Sequence, residues 1–311
     1  MAKKTAPENR PKTIYGILIL ISLFLISSCT ASILSISNTF SPEIIEGNVV
    51  QIPITGVITG TKAGSMFQNE GAYSTEIIEK LEKAKNSKKV KGVILEINSP
   101  GGSPVASDEI SQAVKELGKP SVAWIREVGA SGAYWIATSS DHIIANRMSI
   151  TGSIGVYGSY LEFPDLLNRY NISYKRLVSG KYKDAGVPFR ELEDEEEEII
   201  QGKLDTLHDF FIEEVALNRE LEEETVRDAA TGMFYLGSEA IEMGLIDELG
   251  GKKEAIRYLE QQIGTNVTIY VYEREPSFID FLAELVNEHA YNMGRGMSSY
   301  IREANTFRVI T

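Results

Sequence analysis

Two glycine-rich segments, Asn98-Ser99-Pro100-Gly101-Gly102-Ser103 and Gly129-Ala130-Ser131-Gly132-Ala133, each follow a β-forming run and each open a helix-forming one. At a strand-to-helix corner the first backbone N–H groups lack partners, and small residues let a substrate carbonyl come close to them. A serine beside such amides has what acyl transfer asks for: a nucleophile, and donors for the oxyanion that its attack creates. Glycines at strand ends usually only make turns, so the corners point to this chemistry only in company with a base.

The base is the discriminating question, because a serine hydroxyl is a poor nucleophile until something takes its proton. The chain has three histidines. His142 opens a predicted strand, His208 lies in a long acidic helix and His289 lies in the tail, so none has an evident reason to stand beside Ser131. A Ser-His-Asp triad is therefore disfavoured. A lysine can replace histidine if burial strips water from its ammonium and pulls its pKa from about 10.4 toward neutrality. A shift of roughly three units costs about 4 kcal/mol of charged-state stability, so such a lysine must be unpaired with acid. Lys175, Lys181 and Lys183 lie in or just after a predicted strand, and the irregular turn Gly180-Lys181-Tyr182-Lys183-Asp184-Ala185-Gly186 can aim a side chain inward. Residue physics alone does not choose Lys183 over Lys181, and a surface lysine is the ordinary reading of each.

These residues must be positioned by regular elements, which the pattern supplies. Val49 to Ile58 is β-rich, and Thr59 to Gly71 reads as a loop. Thr75 to Lys85 puts Ile77, Ile78 and Leu81 on one helical face, and Val90 to Ile97 is a buried strand ending at the first glycine corner. The next helix has Ser103 as its cap, Pro104 at its first position, and Gly118 with Pro120 as its stop. Strands are predicted at Ser121 to Arg126, His142 to Met148, Tyr174 to Val178 and Asn266 to Glu273, with helices at Ser131 to Ser139, through Arg219, and over Ser238 to Gly244 and Lys252 to Ile263. Strands alternating with helices imply parallel pairing with right-handed crossovers, an α/β domain. Glu191 to Glu198 holds seven acids in eight residues and is read as a solvated run at the positive end of a helix.

The formal charge of −13 is uneven, with +3 in the first 13 residues and −16 in the rest. An acidic body argues against nucleic acid as a partner. The single cysteine, Cys29, excludes an internal disulfide or a cysteine-based metal site. From Thr13 to Pro42 nothing is charged, and residues 14–36 are long enough for a helix to cross about 30 Å of hydrocarbon. The basic cluster before them should stay in the cytoplasm, which puts the body outside. Lipoprotein processing at Cys29, or cleavage and release, are the rival fates. The expected organisation is a basic segment (1–13), a transmembrane signal anchor (14–36), a linker (37–48), a catalytic domain (49–265), and a last strand with an amphipathic tail (266–311).

At Asn98 to Gly102 together with Gly129-Ala130-Ser131-Gly132-Ala133-Tyr134-Trp135-Ile136-Ala137, the sequence resembles the signal peptide peptidase A family of serine proteases. The resemblance continues through Thr151-Gly152-Ser153-Ile154-Gly155-Val156, Ser179 to Asp184 and Thr231 to Gly250, covering residues 49–260. It implies an α/β fold similar to crotonase and the Clp protease, with parallel sheets and flanking helices. It implies Ser131 as nucleophile, Lys183 as general base, Ser153 as the group orienting the lysine, and the backbone N–H groups of Gly102 and Gly132 as the oxyanion hole, with no metal and no cofactor. The implied substrates are peptides with small or apolar residues at the cleavage site, above all signal peptides left in the membrane after secretion. A homo-oligomeric ring, in which Ser131 and Lys183 can come from neighbouring subunits, is also implied. Asp184 must then point away from Lys183, since a close carboxylate would keep the ammonium charged. The rival functions are a protease of the same family with another membrane-protein target, a catalytically idle membrane-tethered assembly, and a coenzyme A enzyme of the crotonase fold.

Overall fold

A computed structural model describes residues 46–61 and 71–272. The expected anchor at 14–36, Cys29, and the tail helix from Phe278 to Tyr300 lie outside the described residues. Among the described residues no helix is long and apolar enough to cross a membrane.

The sheet grows from four strands whose apolar runs are nearly continuous, as burial on both faces demands. They are β1 (Val49–Thr55), β4 (Gly92–Ser99), β5 (Ser121–Ala130) and β6 (His142–Ala145), and they lie side by side in that order, all parallel. Two short strands, β2 (Val57–Thr59) and β3 (Gly71–Tyr73), form a separate parallel pair after β1. Helix α1 (Ser74–Asn86) leads into β4, α2 (Pro104–Lys115) joins β4 to β5, and α3 (Gly132–Thr138) joins β5 to β6. Because these crossovers advance in one direction across the sheet, a constant right hand puts the three helices on one face. There Ile52, Ile54, Leu95, Ile97, Ala123 and Ile125 are fully buried. The cap of α2 matches its sequence: Ser103 accepts a bond from the Ala106 N–H at 3.5 Å, and Pro104 follows it.

Beyond β6 the chain adds β7 (Ile150–Gly152), α4 (Pro164–Arg169), α5 (Asp194–Arg219) and α6 (Glu223–Ala229). It then adds β8 (Phe234–Leu236), α7 (Gly237–Ala240), β9 (Glu248–Leu249), α8 (Lys252–Ile263) and β10 (Ile269–Val271). β9 extends one edge of the sheet beside β6, and β10 extends the other beside β1. Helix α8 spans between those edges across the opposite face, where Ala255 and Leu259 pack on Val49, Ile94, Val122 and Ile144. The α/β class with a parallel sheet and flanking helices is thus observed.

The strand expected at Tyr174 to Val178 is absent, and the segment has no regular structure. Its composition is strand-like, but all five residues are exposed and no neighbouring strand offers a ladder to join. It belongs to an arm, residues 156–190, whose one helix, α4, buries no side chain. The reading of the acidic run as wholly solvated also needs correction. Glu196 is 2% exposed because it closes the capping box of α5 with Glu193 and pairs with Arg190, while its neighbours Glu197 and Glu198 do face water.

Candidate active site

Both glycine corners stand at the carboxyl ends of adjacent strands. Asn98 Oδ1 accepts the Val128 N–H at 3.2 Å where the β4–β5 register shifts, and Ser99 Oγ, fully buried, accepts the Gly101 N–H at 3.1 Å. The loop then touches β2. Ile58 donates to the Gly101 carbonyl at 2.9 Å and accepts from the Ser103 N–H at 2.8 Å. Since those two groups flank Gly102, its own N–H faces the other way, away from β2.

Ser131 sits between β5 and α3 with φ 54° and ψ −129°, a backbone conformation that costs a side-chain-bearing residue about 1–3 kcal/mol. Its N–H is held by the Gly152 carbonyl at 2.8 Å, and its carbonyl accepts the Trp135 N–H at 3.0 Å. Gly132 is the first residue of α3, so its N–H is one of the groups a helix leaves without an internal partner. A methyl group on Gly132 would stand 3.4 Å from the Gly102 nitrogen and 2.2 Å from Ser107 Oγ. The two corners therefore touch, and glycine is required where they do.

β7 pairs with β5 in the register Gly129 to Thr151 and Ala130 to Gly152, so the next step brings Ser153 level with Ser131. Ser153 also has positive φ, 52°. Its Oγ donates to the Gly232 carbonyl at 3.1 Å, which leaves its lone pairs free to accept from an amine or ammonium. Ser131, Gly102, Gly132 and Ser153 are thus assembled by one chain.

Lys183 is not joined to them within that chain. It is exposed, and among the described residues its ammonium has no hydrogen-bond or ion-pair partner. Lys181 differs. It pairs with Glu195, whose hydrogen bond and charge raise the lysine above its ordinary pKa, and an amine held protonated has no lone pair with which to accept the serine's proton. Asp184 is turned into the structure: Arg176 holds both its oxygens at 2.7 Å, and Arg190 adds contacts at 3.3 Å. These arginines hold its carboxyl well below the usual range. Arg190 also grips both oxygens of Glu196, at 2.6 and 2.7 Å. Sequence reasoning missed Arg176 and Arg190. The available signal was an isolated pair of arginines flanking a turn that is followed by seven acids.

The histidines stand apart. His142 begins β6, at the opposite end of the sheet from Ser131, where it stacks on Tyr258 with centroids 4.3 Å apart and faces Glu248 and Asp247. His208 lies in α5, with a buried Nε2 that has no hydrogen-bond partner among the described residues. His289 is outside the described residues. Among the described residues no group of three or more acids, histidines or cysteines converges to hold a metal.

Residues 113–266 match the model of peptidase family S49. A Methanocaldococcus jannaschii protein named "Putative protease MJ0651" is 32% identical over 302 residues, 93% of this chain and 95% of that one. This chain belongs to peptidase family S49. Other relatives agree with that membership. An Enterococcus faecium protein named "Putative signal peptide peptidase SppA" is 32% identical over 77% of this chain and 72% of its own length. The chloroplastic serine protease SPPA of Arabidopsis thaliana is 32% identical over 64% of this chain and 31% of its own. Among solved structures, a mutant of the 1510-N membrane-bound stomatin-specific protease overlays 75% of this chain and all of its own, with a TM-score of 0.48 at 14% identity, too loosely to assign any residue's role. As an S49 member, the chain is a serine peptidase acting on peptides.

Proposed function

We propose that this S49 peptidase is a membrane-anchored endopeptidase that degrades remnant signal peptides, with Ser131 as nucleophile and Lys183 as general base. The observation that carries the reading is the assembled corner at Ser131: a strained serine beside two unused amides, with Ser153 level with it. The choice of Lys183 is supported by contrast, since Lys181 is ion-paired and Lys183 is not. Neutral Lys183 removes the Ser131 proton as Oγ attacks the scissile carbonyl. The N–H groups of Gly102 and Gly132 donate to the resulting oxyanion. The ammonium, oriented by Ser153, protonates the departing amine, and water hydrolyses the acyl-enzyme through the same lysine.

Because Lys183 is exposed on an arm and unlinked to Ser131 in its own chain, the dyad is completed between subunits of a homo-oligomeric ring. The arm supplies the apolar surface for this, with Tyr157, Leu161, Leu177 and Tyr170 each more than two-thirds exposed. The uncharged stretch from Thr13 to Pro42 behind a basic segment supports a single-pass anchor with the catalytic body outside the cytoplasm. Apolar remnants in the bilayer suit such a protease.

The test is complementation with full-length protein and a signal-peptide substrate. Ser131→Ala and Lys183→Ala chains should each be inactive alone, and co-assembly should restore a fraction of activity by pairing an intact serine with an intact lysine. Full activity of Lys183→Ala alone would remove the lysine from the account. Absence of rescue on mixing, with both variants inactive and assembled, would confine the dyad to one chain.

A further inference from the structure

The turn that carries Lys183 is fastened by every side chain from 181 to 184 except Lys183 itself. Lys181 Nζ and Tyr182 Oη both bond to Glu195 in the first turn of α5. Asp184 is clasped by Arg176 from before the turn and by Arg190 from after it. Arg176 also donates to the Lys181 carbonyl at 2.7 Å, and Arg190 to the Glu191 carbonyl at 2.9 Å, so both guanidinium groups bind backbone as well as carboxylate. The far end of the chain of charges is Glu196, whose side chain is 1% exposed and whose carboxylate also accepts the Glu193 N–H at 3.1 Å.

We propose that the cluster Arg176, Asp184, Arg190 and Glu196 is a positioning device that fixes the Lys183 turn on α5 and neutralises the carboxylate next to the base. The inference deepens the function proposed above and rests on Lys183 being that base. Two guanidinium charges balance two carboxylates, so the cluster presents no net charge to the neighbouring ammonium. An unbalanced Asp184 would hold the proton on Lys183, whereas an arginine in excess would drive it off. Other charged or titratable groups near the turn include Lys175, Lys181 and Tyr182 on its own stretch of chain, Glu193 at the cap of α5, Glu195 in its first turn, and Glu162, which accepts the Leu192 N–H. Lys181 and Glu195 already cancel one another. Rigid attachment matters as much as charge, because a general base must be aimed as well as deprotonated. An exposed arm with no buried helix face has few other means of holding a side chain still.

The two roles can be separated by charge. In the full-length protein, Asp184→Asn should move the acid limb of the kcat/KM profile to lower pH, and Arg176→Gln should move it to higher pH, each by about half a pH unit. Both should also lower kcat, by about tenfold, with little change in KM. Arg176→Lys keeps the charge but loses the two-pronged grip, so its acid limb should return to the wild-type position while kcat stays reduced. A purely structural cluster would lower the amount of active enzyme without opposite shifts. If Asp184→Asn fails to fold, Arg176→Gln and Arg176→Lys, at a position one-third exposed, carry the test alone. Shifts of the same sign, or none, in proteins where Lys183→Ala is inactive would overturn this inference and leave the dyad standing. Wild-type activity in Lys183→Ala would instead overturn the dyad, and the inference with it.

Discussion

The serine corner and the lysine arm are held in opposite ways. Around Ser131 every support is backbone or core: the Gly152 carbonyl, the Trp135 N–H, and a wall of fully buried Ala133, Tyr134 and Ile136 behind it. Around Lys183 the supports are ion pairs on an exposed strip of chain, with no regular strand and a single helix that buries nothing. On the proposed assignment, the nucleophile is fixed by folding, while the base is fixed by salt-sensitive side-chain contacts.

The comparison breaks most cleanly at its rigid end. Ser131→Ala should cut peptide hydrolysis by at least about a thousandfold with no loss of thermal stability, measured as kcat/KM and a melting curve; residual activity near wild type would shift the chemistry elsewhere. Gly132→Ala should follow, losing about a hundredfold in kcat and about 1–3 kcal/mol of stability as its methyl group meets Ser107 Oγ. Replacing Ser107 by alanine in that background should recover part of the stability, which denaturant titration would read. If it recovers none, contact with Ser107 Oγ is not what excludes a side chain at position 132.

The arm should yield more gently. Lys181→Ala should change kcat/KM by less than about threefold, since exposed ion pairs contribute little; a loss equal to that of Lys183→Ala would reverse the assignment of the two lysines. The smallest effect is that of acid. Asp184 has its carboxyl depressed by Arg176 and Arg190, so its stabilisation is present above the unfolded value of about 3.9 and is lost as pH falls through the folded one. Proteolytic nicking between residues 156 and 190 by an acid-active protease should therefore rise below about pH 4 before the body melts. Simultaneous loss of both would mean that the arm is no separate unit.

What the sequence disclosed divides along the same line. The buried strands, the Ser103 and Pro104 cap and the corner at Ser131 rest on local rules, continuous apolar runs ended by glycine or proline, and so were legible. The arm rests on contacts that composition misreports. Tyr174 to Val178 has strand residues without a strand to pair with, and Glu196 looks like one of many surface acids until Arg190 buries it. Nothing in a run of like charges indicates which member turns inward. The neutralised Asp184 was required by the lysine chemistry but not visible as a pair, because Arg176 and Arg190 reach it from eight residues before and six after.

The φ of Ser131 has a consequence for how long the enzyme lasts as well as how it works. Glycine adopts that backbone without penalty, so Ser131→Gly should outlive the wild type in heat by about 1 kcal/mol after its own entropic cost, while cleaving nothing. Durability and usefulness pull against each other at one residue.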